Sequence, residues 1–357
     1  MRFFFKTDYA QDLRIARHGG HVFWYGLLLA VLVALPLFVG EYFLTQLHFI
    51  AIYSIVGFGL MLLVGFTGQI SLGHAAFLAV GAYTEALLQA KGVPFLISLP
   101  TAALFSAAVG VIVGLPALRL KGIYLAIATI AFNVIVEEII TRWEGLTGGN
   151  SGLQVKDVVL LGQSVESPTA FYYLCLVITV ICCLFMINLL RSPTGRAFVA
   201  IRDSEISASC MGVNLAKYKT MSFALSAALT GIAGALYAHK LAFISPEQFN
   251  LFVSIEMVTI VILGGIGSLH GAVLGAAFII LLPQGIAIAK DWLPPGMAPT
   301  GLQAVIFGII LIAFIIFEPL GLYGRWVKVR TWFQLFPFYR RGMFKRQKTY
   351  TKSERLR

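Results

Sequence analysis

The chain has 357 residues, of which 59% are hydrophobic and 12% charged, and a mean hydropathy of +0.86. A soluble enzyme or binding domain of that composition would leave most of its surface apolar, so an integral, all-α polytopic membrane protein is expected. The net charge of +11 does not signal a nucleic-acid partner, because most of it is concentrated between Arg325 and Arg357.

Residues 1–21 hold Arg2, Lys6, Arg14 and Arg17 and read as a cytoplasmic N-terminal segment. The apolar run that follows carries no A-x-A-like site, so a cleaved signal peptide is not expected. Apolar runs of about 20 residues cross a bilayer as helices, since every backbone amide must find its partner within the segment. Ten runs qualify, near 22–39, 43–64, 75–90, 95–116, 122–141, 171–190, 215–238, 254–268, 270–289 and 301–318, the third and eighth being short. They define a transmembrane domain over 22–320, with an external loop near 142–170 and a basic cytoplasmic tail over 321–357.

Lysine and arginine in short loops resist translocation and so set orientation. With both termini inside, only Lys91, Arg142, Lys156, Lys240 and Lys290 of the 27 basic residues fall outside. The tail alternates bases with Trp326, Trp332, Phe333, Phe336 and Phe338, as expected of a segment lying against anionic headgroups of the lipid bilayer. Cys175, Cys182 and Cys183 share one span and Cys210 lies in a cytoplasmic loop, a pattern of ordinary packing rather than disulfides or metal ligation.

Between the second and third spans the chain reads GFTGQISLGHAAF, residues 65–77. Irregular backbone at membrane depth is tolerated only against protein or along a water-filled path. Gly65, Gly68 and Gly73 permit such a break, and Gln69, Ser71 and His74 can line it; close packing through small residues is the alternative. A second glycine-rich stretch, GGIGSLHG at 264–271, leads into Gly267, Gly271 and Gly275 at G-x-x-x-G-x-x-x-G spacing, which reads as helix packing.

Neither stretch builds an enzyme. Gly68, Ser71 and Gly73 give G-x-x-S-x-G, one residue longer than a nucleophile elbow. Ser268 and His270 stand two apart on one segment and would point away from each other on a helix. The six histidines form no H-E-x-x-H, so no metal site is expected. The dipeptide Gly-Lys never occurs, so the chain has no P-loop and any ATP must be bound by another subunit; no cofactor of its own is expected. Glu85 and Glu256 lie deep, while Glu137 and Glu138 sit near a helix end; buried acids would suit an ion-coupled secondary transporter, the competing reading.

The loop after the sixth span reads RSPTGRAFVAIRDSEISASCMGVNLAKYKT, residues 191–220. Residues 197–212 are expected to form one helix too polar to span, with Arg202, Asp203, Ser204, Glu205, Ser207 and Ser209 on one side and Phe198, Ile201 and Ala208 on the other. Gly212 closes it as a C-terminal cap. Arg202, Asp203 and Glu205 can then form charge-assisted contacts with a separate motor.

At these residues the chain resembles the branched-chain amino acid ABC importer permeases of the LivM and LivH type. RSPTGRAFVAIRDSEISASCMGVN is similar to that family's cytoplasmic coupling segment, GFTGQISLGHAAFLAVGAY to its early signature, LTGGNSGL to its external-loop motif and VTIVILGGIGSLHGAVLGAAF to its late glycine-rich segment. The long external loop and RLKGIYLAIAT at 119–129 place it nearer LivM. The resemblance implies a multi-pass subunit of the bacterial inner membrane, paired with a second permease of LivH type. It further implies two ATPase subunits, a periplasmic substrate-binding protein and a small-molecule substrate that is an amino acid or a relative.

Overall fold

The structure, a computed structural model, describes residues 19–120, 122–160, 163–165, 167–291, 302–318 and 320–335. Most of the N-terminal segment, the basic tail from residue 336, Lys121 and the stretch 292–301 lie outside the described residues. The helices are α1 (Gly19–Ala34), α2 (Glu41–Leu60), α3 (His74–Ala90), α4 (Phe95–Ala117), α5 (Ile123–Arg142) and α6 (Pro168–Arg191). They continue as α7 (Pro193–Asp203), α8 (Glu205–Cys210), α9 (Leu215–Leu241), α10 (Leu251–Gly264), α11 (Leu269–Asp291), α12 (Leu302–Phe317) and α13 (Gly321–Leu335).

Seven of the described helices are long and apolar enough to cross a membrane, or eight if α12 and α13 count as one bent span. The expected count of about ten is thus not confirmed among the described residues, and the three runs that fall short of the length do so for local reasons. The first apolar helix covers only Val22–Leu37 and ends in a 3-10 turn at Pro36. Helix α3 has 17 residues, about 26 Å at 1.5 Å per residue, short of a hydrocarbon core of about 30 Å. Apolar residues of the last span stop at Phe317, and the chain bends by 52° before α13. Sidedness of the termini rests on the distribution of basic residues alone.

Helices α2 and α9 form the centre. Their most apolar windows are 78% and 67% buried, against 22% for α4 and 28% for α6 and α11. Apolar side chains gain little by leaving lipid for a neighbouring helix, so contact is driven by close approach at small residues. Helix α9 supplies these on several faces: a Cβ on Gly231 would stand 2.6 Å from the Ser106 Cβ, and one on Gly234 would strike the Leu78 carbonyl. In the same way Gly271 and Gly275 of α11 press against Gly264 and Ile260 of α10, whereas Gly267 lies in the turn between them with φ of +89°.

A small cap covers one end of the bundle. Strand β1 (Leu153–Gln154) pairs antiparallel with β4 (Phe243–Ile244), and β2 (Val159–Leu160) pairs with β3 (Gln163–Ser164). Gly152, at φ of +68°, lets β4 approach so closely that a Cβ there would stand 2.5 Å from the Ile244 oxygen. Beneath this cap Glu85 is fully buried and accepts from Ser98 Oγ at 2.6 Å. His239 Nε2 is 3.0 Å from the same carboxylate oxygen, and His239 Nδ1 is 3.0 Å from the Lys156 carbonyl. The sequence offered Glu85 as a deep acid that would suit an ion-coupled transporter; the fold gives its Oε1 partners on α4 and α9.

Candidate functional site

Helix α2 does not end cleanly at Leu60. It continues through a π-helix, Met61–Phe66, and the chain then runs irregularly to Gly73 before α3 begins. Widened π turns leave carbonyls without their usual partners, so the end of the helix must be satisfied from outside. Three donors do this. Thr67 Oγ1 donates to the Leu62 carbonyl at 2.7 Å, Gln69 N to the Leu63 carbonyl at 2.9 Å, and Arg202 Nη1, from α7, to the Gly65 carbonyl at 3.0 Å.

The start of α3 is satisfied in the same borrowed way. Ala75 N donates to Ser254 Oγ of α10 at 2.9 Å, and Leu72 N donates to Thr129 Oγ1 of α5 at 2.9 Å. Gly73 is obligatory here because a Cβ would drive into the Thr129 carbonyl oxygen.

Ser71, His74 and Ser226 are fully buried and form one chain. Ser226 Oγ donates its proton to the Gly59 carbonyl at 2.7 Å, so toward His74 Nε2, 2.8 Å away, it can only accept. Counting protons therefore assigns His74 the Nε2–H tautomer, with Nδ1 accepting from Ser71 Oγ at 3.1 Å. Gln69 is 4% exposed; its Nε2 donates to Ser222 Oγ at 2.8 Å while its Oε1 is buried with no partner. Gln69, Ser71 and His74 thus face the neighbouring helices and hold the break in shape. At the surface of the break stand Gly68, with φ of +72°, and Ile70, 43% exposed.

The second glycine break lies against the first. Gly267 N donates to Met61 Sδ at 3.1 Å, and a Cβ on Gly65 would stand 2.9 Å from Gly267 N. Arg202 closes the junction: its Cγ would be 3.2 Å from a Cβ on Gly68, and its Nη1 3.8 Å from one on Gly267.

The segment expected as one helix over 197–212 is two helices, a correction with a clear cause. Ser204 takes an extended conformation, φ −163° and ψ 115°, and its side chain accepts from Ser207 N, ending α7 and starting α8. Phe198, Ile201 and Ala208 are buried as the pattern implied. The charged residues divide. Arg202 reaches the first break while Asp203 Oδ1 accepts from its Nε and Nη2 at 3.1 and 3.0 Å. Glu205 pairs with Lys219 of α9 at 2.5 Å, the Lys219 side chain being 5% exposed. Gly212, at φ of +82°, closes α8 with open space around it.

Several residues that sequence reasoning passed over belong to this site. Ser222, Ser226 and Thr230 recur every fourth residue on α9, as do Thr129 and Asn133 on α5, a polar stripe at helical spacing that would have marked them. Ile206 on α8 and Met211 at its C-terminal cap are 78% and 84% exposed, large apolar side chains on an otherwise polar element.

Comparison with known proteins finds relatives over most of the chain. The family model described as branched-chain amino acid transport system / permease component matches residues 42–315. The high-affinity branched-chain amino acid transport system permease protein LivM of Salmonella typhimurium is 34% identical over 320 residues, covering 83% of this chain and 73% of that protein. LivM of Escherichia coli is 36% identical over the same shares, and LivH of Salmonella typhimurium is 23% identical over 76% of this chain and 91% of its own. No solved structure matches the chain.

Proposed function

The chain belongs to the branched-chain amino acid transport permease family, and from that membership we propose that it is a transmembrane subunit of an ATP-driven importer for branched-chain or related amino acids. Its relatives are transport permease subunits rather than enzymes. It pairs with a second permease of LivH type and takes substrate from a periplasmic binding protein across the bacterial inner membrane. Two ATPase subunits bind the ATP, since the sequence offers no Gly-Lys to hold phosphates.

The observation that carries the coupling assignment is the build of α7 and α8. One side is fastened to the membrane body through Arg202 to Gly65 and Glu205 to Lys219; the other presents Ile206 and Met211. An element fixed to the spans and apolar at its tip is suited to pass the motion of a motor to helices. Of the two deep acids, Glu85 has its Oε1 engaged by Ser98 and His239 beneath the external cap, while its Oε2 is buried without a partner.

The test is uptake by proteoliposomes holding both permeases, the ATPases and the binding protein, assayed across leucine, isoleucine, valine, other amino acids, urea and amides. Uptake requires internal ATP and loaded binding protein. Uptake driven by a proton or sodium gradient without ATPases would replace this reading with the ion-coupled one.

A further inference from the structure

The geometry points to Arg202 as the positioning residue that transmits movement of the α7–α8 segment to the broken helices, by capping the C-terminal end of the α2 π-helix. This deepens the permease reading and rests on it.

Three features single Arg202 out. A helix end carries orphan carbonyls and partial negative charge, so a cation there both donates and neutralises. Of the three donors that satisfy the carbonyls of Leu62, Leu63 and Gly65, two belong to the break itself and move with it; only Arg202 comes from the separate segment, 137 residues away. Its guanidinium is aimed, because Asp203 engages Nε and Nη2 and leaves Nη1 directed at Gly65. Finally, Gly65, Gly68 and Gly267 all lie against this one side chain or each other, so both glycine breaks are within its reach.

The consequence is a discrete two-state contact. With α7 seated, Gly65 O is capped and the break holds its shape. When the ATPases draw α7 away, the cap leaves, the carbonyl must find water or a new donor, and the residues around Gly68 and Ile70 rearrange. Arg202 is therefore assigned to transmission within this chain, while ATPase docking belongs to the exposed tip of α8.

The experiment uses the complete complex in proteoliposomes with Arg202→Gln and Arg202→Lys. Co-purification of the ATPases and basal ATP hydrolysis are expected to stay within twofold of wild type in both. Substrate moved per ATP is expected to fall at least tenfold in R202Q and to recover in part in R202K, which keeps a cationic donor. In parallel, a single cysteine at Ile70 should react with a thiol reagent at least threefold faster in the R202Q background, in a chain freed of its native cysteines. Wild-type transport per ATP in R202Q would overturn the inference and leave the permease reading intact. Loss of ATPase co-purification would overturn it too, by assigning Arg202 to docking. A wild-type complex that moves no amino acid at the expense of ATP would instead overturn the permease reading. Should R202Q fail to insert, Asp203→Asn keeps the arginine but removes the carboxylate that aims it, and must lower transport per ATP by at least threefold for the inference to stand.

Discussion

Replacing Gly73 with alanine tests whether the break is held by close contact with α5. Gly73 has φ of −116°, so alanine meets no left-handed strain and the penalty is purely steric. The new Cβ would press into the Thr129 carbonyl oxygen and stand 3.1 Å from its carbon and 3.3 Å from the Thr129 Cβ. Backbone cannot rotate away as a side chain can, and overpacking of this kind costs about 1–3 kcal/mol. Displacing Thr129 also stretches its 2.9 Å bond from Leu72 N, worth about 0.5–1.5 kcal/mol. Together the two effects give about 2–4 kcal/mol. Two controls separate this from a general effect of alanine. Gly285 has open space and no left-handed backbone, so G285A should be neutral or gain up to about 1 kcal/mol in helix propensity. Gly92, at φ of +79° and also in open space, should lose about 1–2 kcal/mol from backbone strain alone. Thermal unfolding of the purified complex, followed by tryptophan fluorescence and paired with uptake, reads the order G285A, G92A, G73A from most to least stable. Equal midpoints for G73A and G285A, with unchanged uptake, would refute the close-contact argument.

Other outcomes follow from the same geometry. Glu205→Gln takes the carboxylate charge away from the nearly buried Lys219 and should destabilise the chain by up to about 3 kcal/mol, the lower end for broken buried pairs; a double-mutant cycle with Lys219→Met should recover most of the loss, and strict additivity would refute the pairing. Ile206→Asp and Met211→Asp should reduce ATPase co-purification while leaving the permease inserted, and full assembly in both would remove α8 as the docking tip. A reporter fused after Gly152 should be external and one after Ser204 cytoplasmic; an external Ser204 would reverse the orientation. The loss of transport per ATP in R202Q completes the set.

The membrane character, most helices and both breaks were legible in the sequence, because hydropathy over a window and the backbone freedom of glycine are local properties. The span count was not. The runs expected at 75–90 and 301–318 return as His74–Ala90 and Leu302–Phe317, but a run of apolar residues does not by itself say whether so short a helix crosses the bilayer, since that depends on how neighbouring segments satisfy its ends. Gln69, Ser71 and His74 were visible as polar residues in an apolar stretch, yet their orientation was decided by Ser222 and Ser226, more than 150 positions away. Arg202 shows the limit most clearly. Helical periodicity set it on the polar side of an amphipathic element, which suggested a partner outside the chain. The tertiary structure directs its Nη1 to the Gly65 carbonyl, 137 residues away in sequence, a partner that only the folded chain brings within reach.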